Sequence, residues 1–361
     1  MGVERIRYYN FRNIADSTIE FSAPEVFLVG ENGQGKSNVL ESFYLLCYGS
    51  SFRTHKDSIL PKRGSTSAKL SGQLKLHDED ILDIAIRFSS GRKEIDVNGA
   101  TIVDRREIIR NLPCIVFCHD DIRFVTGSPD HRRWFFNQTL SLYDDRFLDT
   151  LRRYTRVLKS RNAAIRNEQY ELLDAYDPQL AETGIDLTRA RLHAASEFSG
   201  LFEELYHRIS GFNSPLTIEY RPSWHADAGI SDVCTLFAET RDRDARMRTT
   251  TQGPHRDRFR FLMDGREFTE TASTGQLRLI SLVLRIAQSR FFTMHSSRKP
   301  LLLLDDVMLE LDPVRRERFF NSLPEYDQAV FTFLPDEQFS PLRRSDTLVY
   351  RVTEGEIHGE S

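Results

Sequence analysis

The run Gly30-Glu31-Asn32-Gly33-Gln34-Gly35-Lys36-Ser37 satisfies the spacing G-x-x-x-x-G-K-[ST] at every fixed position. Glycines at this spacing let successive backbone N–H groups turn inward around phosphate oxygens. A helix that follows would offer its positive N-terminal end to the same anion. Lys36 can reach the β- and γ-phosphates as a point charge, and the Ser37 hydroxyl is a hard oxygen ligand suited to Mg²⁺. Residues 30–37 therefore predict a cradle for ATP with Mg²⁺, in which Gly30, Glu31, Asn32, Gly33, Gln34, Gly35, Lys36 and Ser37 all take part.

Two further segments could complete such a site. Leu301-Leu302-Leu303-Leu304 is a fully apolar strand that ends on Asp305 and Asp306. Two acids at the end of a central strand are costly there, and a bound cation relieves the cost. Asp305 is expected to hold Mg²⁺, and Asp306 to activate the attacking water with Lys36 as its catalytic partner. Ser273, Thr274, Gly275 and Gln276 precede a strongly amphipathic helix over 277–292. A hydroxyl, a glycine and a helix N-terminus again suit an anion, so Ser273, Gly275 and Gln276 are candidate nucleotide contacts. Read alone, the same four residues are an ordinary helix cap.

The elements that must position these residues are α/β in character. Val26-Phe27-Leu28-Val29 is a buried-strand pattern ending at Gly30, and 38–48 has helical spacing at Val39, Leu40, Phe43, Leu46 and Cys47. Residues 68–76 and 82–88 alternate as strands, and Asn98-Gly99 marks a hairpin turn. Residues 114–118 form another apolar strand pattern. From about 130 to 211 the period becomes helical, with Phe147, Leu151, Tyr154 and Leu158 on one stripe and Leu187, Ala190, Ala194, Phe198, Leu201 and Leu205 on another. Tyr176-Asp177-Pro178 is expected to break the two stretches apart. Strand patterns return after about 215, with a hairpin around Asp264-Gly265, a helix at Pro313–Phe320 and a strand at 329–333. The expected organisation is an α/β head of 1–129 and 212–361 with a helical arm, 130–211, inserted between its halves.

Bulk composition is that of a soluble globular protein. Of 361 residues, 40% are apolar and 28% charged, and the net charge is −4. No apolar run is long enough to cross a bilayer, and Met1-Gly2-Val3-Glu4-Arg5-Ile6 lacks the apolar stretch of a secretory signal, so a cytoplasmic protein without a membrane partner is expected. Cys47, Cys114, Cys118 and Cys234 include no C-x-x-C pair and read as thiols in a reducing compartment. A negative net charge does not exclude a nucleic acid, because a local patch decides that. Residues 151–166 hold Arg152, Arg153, Arg156, Lys159, Arg161 and Arg166 and no acid. Arg152, Arg156, Lys159 and Arg166 fall near one helical face and would neutralise DNA phosphates with little sequence preference. Arg256, Arg258 and Arg260 alternate as on one side of a strand.

The order of the motifs resembles ABC-type ATPases, in which the signature of one subunit closes on the γ-phosphate held by another. Val307-Met308-Leu309-Glu310-Leu311-Asp312 resembles the loop that joins the two sites across that interface. The match is closer still to the RecF family of bacterial recombination-mediator ATPases, relatives of SMC heads that lack the long coiled coil. It runs through Asn10-Phe11-Arg12-Asn13, the phosphate loop, Gly49-Ser50-Ser51-Phe52-Arg53-Thr54, Gly127-Ser128-Pro129-Asp130-His131-Arg132-Arg133, Tyr154-Thr155-Arg156-Val157-Leu158-Lys159-Ser160-Arg161-Asn162, Gly253-Pro254-His255-Arg256-Asp257 and residues 301–312. Departures are Cys118-His119-Asp120-Asp121 where the family has a proline and acids, no arginine before Ser51, no Mg²⁺-sensing glutamine, and Thr332-Phe333 where ABC proteins carry a histidine.

The resemblance implies an ATP-induced homodimer that binds single-stranded, gapped or duplex DNA. It implies cooperation with RecO and RecR in loading RecA onto strands covered by SSB, in support of repair, replication restart and the SOS response. Slow, DNA-stimulated hydrolysis would reset the complex. The alternative is an ATPase subunit of a different SMC- or ABC-like machine. A transporter domain needs no arm, and a nuclease-coupled SMC relative needs a far longer insertion.

Overall fold

Alternation of Ile6 and Tyr8 with Arg5 and Arg7 buries one face of the first strand, β1 (Gly2–Tyr9). The computed structural model describes all residues except 77–79, 110, 213, 226, 308–310, 338, 340–341 and 361, and the side chains of 106 and 107. After β1 come β2 (Ser17–Glu20), β3 (Glu25–Val29), α1 (Lys36–Tyr48), β4 (Ser67–Lys75), β5 (Ile81–Ser89), β6 (Arg92–Val97), β7 (Ala100–Thr101), α2 (Arg106–Ile109) and β8 (Cys114–Phe117). The middle of the chain forms α3 (Arg123–Thr126), α4 (Pro129–Ser141), α5 (Asp145–Arg166), α6 (Leu173–Ser210), β9 (Leu216–Arg221), α7 (Ile230–Glu239), α8 (Arg241–Met247), β10 (Arg258–Met263), β11 (Arg266–Glu267) and α9 (Thr274–Ser296). It closes with β12 (Leu301–Leu304), α10 (Pro313–Phe320), β13 (Gln328–Phe333), β14 (Leu348–Thr353) and β15 (Glu356–Gly359).

The chain divides into two compact units. The first is Met1–His119 with Ser297–Glu317 and Leu323–Ser361, and the second is Asp120–Ser296 with Arg318–Ser322. In the first unit, one sheet has the order β15-β14-β3-β13-β12-β8. Its neighbours run parallel except at the β14–β15 hairpin. Strands β3, β8, β12 and β13 are buried along their whole length, as expected when both faces of a parallel sheet are covered. The second sheet, β2-β1-β4-β5-β6-β7, is antiparallel throughout. Helix α1 packs against strands of both sheets, so it is buried on every side from Val39 to Tyr48 and not only along its apolar stripe. Its buried Glu41 is therefore paired. Arg12 donates to both its carboxylate oxygens at 2.8 Å, and the Ser51 hydroxyl donates to Oε1. Two of the family-like sequence blocks thus meet on one buried acid.

In the second unit, α5 and α6 run antiparallel, as the pairs Arg153–Glu182 and Arg161–Asp177 show. Strands β9, β10 and β11 form a small antiparallel sheet. Helix α6 packs against both β9 and α9. Two expectations change here, and one cation of the basic run, Arg161, turns inward. The compact units do not divide at 130 and 211, because residues 212–296 pack with the helices that precede them. Tyr176-Asp177-Pro178 is not the break. Helix α6 begins at Leu173 and carries Pro178 inside it, at the cost of the one bond a residue 178 N–H would make to the Asp174 carbonyl, with Asp174 and Asp177 tied to Arg241. Arg161 is not a surface cation but fully buried, held by Asp177 Oδ1 and Asp244 Oδ2 at 2.7 Å each and stacked over the Phe237 ring. The Asn98-Gly99 and Asp264-Gly265 turns form as expected, with φ positive at all four residues. Among the described residues, no helix is long and apolar enough to cross a membrane.

Candidate active site

Strand β3 delivers the phosphate loop to the carboxyl end of the parallel sheet, where ligands of α/β folds bind. Helix α1 begins at Lys36, directly after Gly35. Gly33 has φ +80° and open space around its Cα, whereas Gly35 has φ +123° and faces Asn13. A Cβ on Gly30 would sit 2.3 Å from the Val352 carbonyl oxygen, so only glycine fits there. The Lys36 ammonium donates to the Gly30 and Glu31 carbonyls at 2.6 and 3.2 Å and lies 4.0 Å from Asp306 Oδ1.

The carboxylates come from β12, one strand removed from β3. Ser37 Oγ donates to Asp305 Oδ1 at 2.8 Å, so the two expected Mg²⁺ ligands meet across a separation of 268 residues. Asp305 is raised to about 6, first by burial and also by Asp306, against the pull of the Ser37 hydroxyl, Arg53 and Lys36. A half-buried carboxylate beside a hydroxyl is a hard-oxygen pair that fits Mg²⁺. Among the described residues no three His, Cys, Asp or Glu could hold an ion together. Asp306 has φ +51°, a left-handed backbone that costs a non-glycine residue about 1 kcal/mol. Its N–H donates to Thr332 Oγ1 at 2.7 Å, and Thr332 Oγ1 donates to Asp306 Oδ1 at 3.0 Å.

Several residues brace this centre that spacing did not single out. Asn13 donates to the Gln34 carbonyl at 3.1 Å and accepts from Asn38 at 2.7 Å, and Arg53 donates to Asn38 Oδ1 at 2.6 Å. The β14–β15 turn holds Gln34 through the Gly355 N–H at 2.9 Å and the Glu354 N–H at 2.5 Å. Gly355 has φ +84°, and a Cβ there would lie 1.8 Å from the Asn13 carbonyl oxygen. Asn13 and Arg53 lie in the family-like blocks, which is the signal that could have found them. Glu354 and Gly355 both have positive φ, a turn that no Asn-Gly or Asp-Gly pair marks in the sequence. Gly355→Val is expected to weaken ATP binding at least about tenfold by displacing the loop, with a lower melting temperature. Wild-type affinity in a nucleotide titration would show that the turn does not brace the loop.

In the second unit, Ser273 caps α9. The Ser273 N–H donates to Gln276 Oε1 at 2.8 Å, and the Gln276 N–H donates to Ser273 Oγ at 3.3 Å. This is a reciprocal capping box. Gly275 is exposed, and a Cβ there would meet nothing within 4 Å. Of the loop expected after the carboxylates, residues 308–310 lie outside the described residues.

On α5, Arg156, Lys159 and Arg166 are exposed, Arg152 is half-buried, and Arg153 pairs with Glu182 at 2.9 Å. Arg258 and Arg260 share one side of β10, but Arg260 is bound to Glu267, and Arg256 lies in the turn before the strand. The block containing His255 is structural. The Tyr154 hydroxyl bonds His255 Nδ1 at 2.6 Å, and burial lowers His255 to about 4. Asp257 takes Arg191 at 2.8 Å.

A phosphate loop on β3, an acid pair on β12 and one strand between them define an ABC-type P-loop ATPase head. Residues 2–355 match the family described as RecF/RecN/SMC N terminal domain. The DNA replication and repair protein RecF of Treponema pallidum (strain Nichols) is 42% identical over 97% of this chain and 99% of its own. That of Clostridium acetobutylicum is 31% identical over 99% of each. The solved structure of the recombination mediator protein RecF-ATP in the RecFOR pathway superposes with a TM-score of 0.88 at 26% identity, covering 100% of this chain and 98% of its own. An Smc head domain from Pyrococcus furiosus, at 17% identity and TM-score 0.61 over 99% and 96% of the two chains, shares the fold. The chain belongs to the RecF/RecN/SMC N-terminal domain family, within its RecF branch.

Proposed function

We propose that this protein is an ATP-gated DNA-binding protein of recombinational repair and replication restart. It dimerises around two ATP molecules, grips DNA, and is reset by slow hydrolysis. The observation that carries the reading is the convergence of Ser37, Lys36, Asp305 and Asp306 at the end of one parallel sheet. Membership of a family whose relatives are named for DNA replication and repair supports it. Ser37 and Asp305 would hold Mg²⁺, which when bound would screen phosphate charge. Lys36 takes the β- and γ-phosphates, and Asp306 accepts the proton of the attacking water. RecO and RecR are its working partners, with RecA and SSB further along the same process, as the RecFOR pathway of the ATP-bound relative suggests. The site of action is the cytoplasm, on DNA.

Gly275 supports the dimer. Glycine inside a helix costs about 1 kcal/mol relative to alanine. Neither its φ nor any neighbour demands it. Open space at an exposed helix N-terminus lets a phosphate held by a second copy approach the Ser273–Gln276 cap. Gly275→Arg is expected to fold and bind ATP as the parent does, yet remain a monomer with ATP in gel filtration. An ATP-induced dimer of this variant would remove the signature from the interface.

The proposed DNA seat is the α5 face of Arg152, Arg156, Lys159 and Arg166. Changing Arg152, Arg156 and Lys159 together to Gln is expected to weaken binding. The same change should flatten its logarithmic salt dependence by about 0.9 for each phosphate no longer neutralised. An unchanged slope would move the seat elsewhere. The whole reading is tested by gel filtration with and without ATP, followed by addition of gapped DNA. A chain that stays monomeric with ATP and ignores DNA belongs to a different ATPase machine.

A further inference from the structure

The two residues beyond β12 reach the site in opposite ways. Asp305 faces Ser37 and is tied down by its own backbone, its N–H donating to the Phe117 carbonyl at 2.9 Å. Asp306 turns into the left-handed region and loses that ladder. Its amide is taken up by a side chain on the strand between the two halves of the site. Leu304 pairs with Phe331, so the next residue on β13 is Thr332, level with the first residues past β12. On its other side β13 pairs Thr332 with Leu28 of β3, the strand that carries the phosphate loop. Thr332 is 1% exposed.

We infer that Thr332 is the positioning residue for Asp306, which deepens the proposed role of Asp306 as acceptor of the water proton. One hydroxyl does two jobs. It accepts the Asp306 N–H at 2.7 Å, which holds the left-handed turn, and it donates to Asp306 Oδ1 at 3.0 Å. Other acceptors lie farther off, the Leu304 carbonyl at 3.4 Å and Asp305 Oδ1 at 3.5 Å. Lys36 Nζ also lies on the Oδ1 side, at 4.0 Å. Oδ1 is thereby committed, and Oδ2 has no hydrogen-bond partner among the described residues, which leaves it for the water. Serine can do the same work, and valine, of the same shape, cannot.

The test measures ATP turnover, ATP affinity and ATP-induced dimerisation on the full chain. The variants are Thr332→Val, Thr332→Ser, Asp306→Asn and the Thr332→Val/Asp306→Asn double variant. Thr332→Val is expected to lower kcat roughly ten- to hundredfold, with KM and the dimer within about twofold of wild type. Thr332→Ser is expected to restore most of the rate. The double variant is expected to be no slower than Asp306→Asn alone, because a positioning role vanishes with the group positioned. Wild-type turnover by Thr332→Val beside a slow Asp306→Asn overturns the inference and leaves the role of Asp306 standing. Wild-type turnover by Asp306→Asn overturns that role itself. A serine variant as slow as valine assigns the loss to packing and also overturns the inference. If Thr332→Val is insoluble, Thr332→Cys, with its weak S–H donor, takes its place with the same expected loss, and a wild-type rate overturns the inference equally.

Discussion

Replacing Lys36 with Met is expected to abolish ATP-induced dimerisation while leaving the fold intact. The side chain is 4% exposed, and its ammonium donates to two carbonyls of its own loop. Methionine fills much the same volume without the charge. The freed Glu31 carbonyl belongs to an exposed residue, whereas the Gly30 carbonyl is buried and leaving it unpaired costs folding about 1–3 kcal/mol. ATP loses more, because each charge-assisted hydrogen bond to phosphate contributes about 1.5–3 kcal/mol. Two such bonds amount to more than about a hundredfold in affinity. Nucleotide titration should show that loss, and gel filtration with millimolar ATP should return only monomer. A Lys36→Met protein that dimerises at the ATP concentration sufficient for wild type would take Lys36 out of the phosphate site.

Asp306→Asn should separate binding from turnover. The amide keeps the shape of the carboxylate and its bonding to Thr332, whose hydroxyl and backbone partner remain. It removes a negative charge 4.0 Å from Lys36, so ATP should bind as well or better. A positioned proton acceptor contributes typically 10²–10⁴-fold, and a fall of about that size in kcat is expected. The ATP-bound dimer should then persist long enough to isolate. Unchanged single-turnover hydrolysis would mean that another group accepts the proton. Asp305→Asn is predicted to differ, because it weakens the Mg²⁺ site and so ATP binding itself.

The proposed DNA face shows how far a charge pattern reaches. Six cations in residues 151–166 look alike in the sequence. Folding sorts them by their acids, which come from distant segments. Asp177 and Asp244 draw Arg161 inside, and Glu182 pairs with Arg153 at the surface. Arg156, Lys159 and Arg166 remain exposed. Helical phase could place the stripe, but it could not say which members were already neutralised.

Read by itself, the sequence determined the phosphate loop, the Asn98-Gly99 and Asp264-Gly265 turns, the apolar strand before Asp305 and the cap at Ser273. Each depends on residues within one turn or one strand, so spacing and side-chain chemistry suffice. It also determined the ABC-type class, because three such local motifs stand in a fixed order. Tertiary structure alone decided the boundaries of the compact units, the burial of Arg161, the Gly355 turn beneath the loop and the place of Thr332 beside Asp306. The place of Thr332 depends on β13 lying between β3 and β12 in that register, the Gly355 turn on β14 lying along the other side of β3, and the burial of Arg161 on acids from α6 and α8. Strand order joins residues about three hundred positions apart, and no local period encodes it.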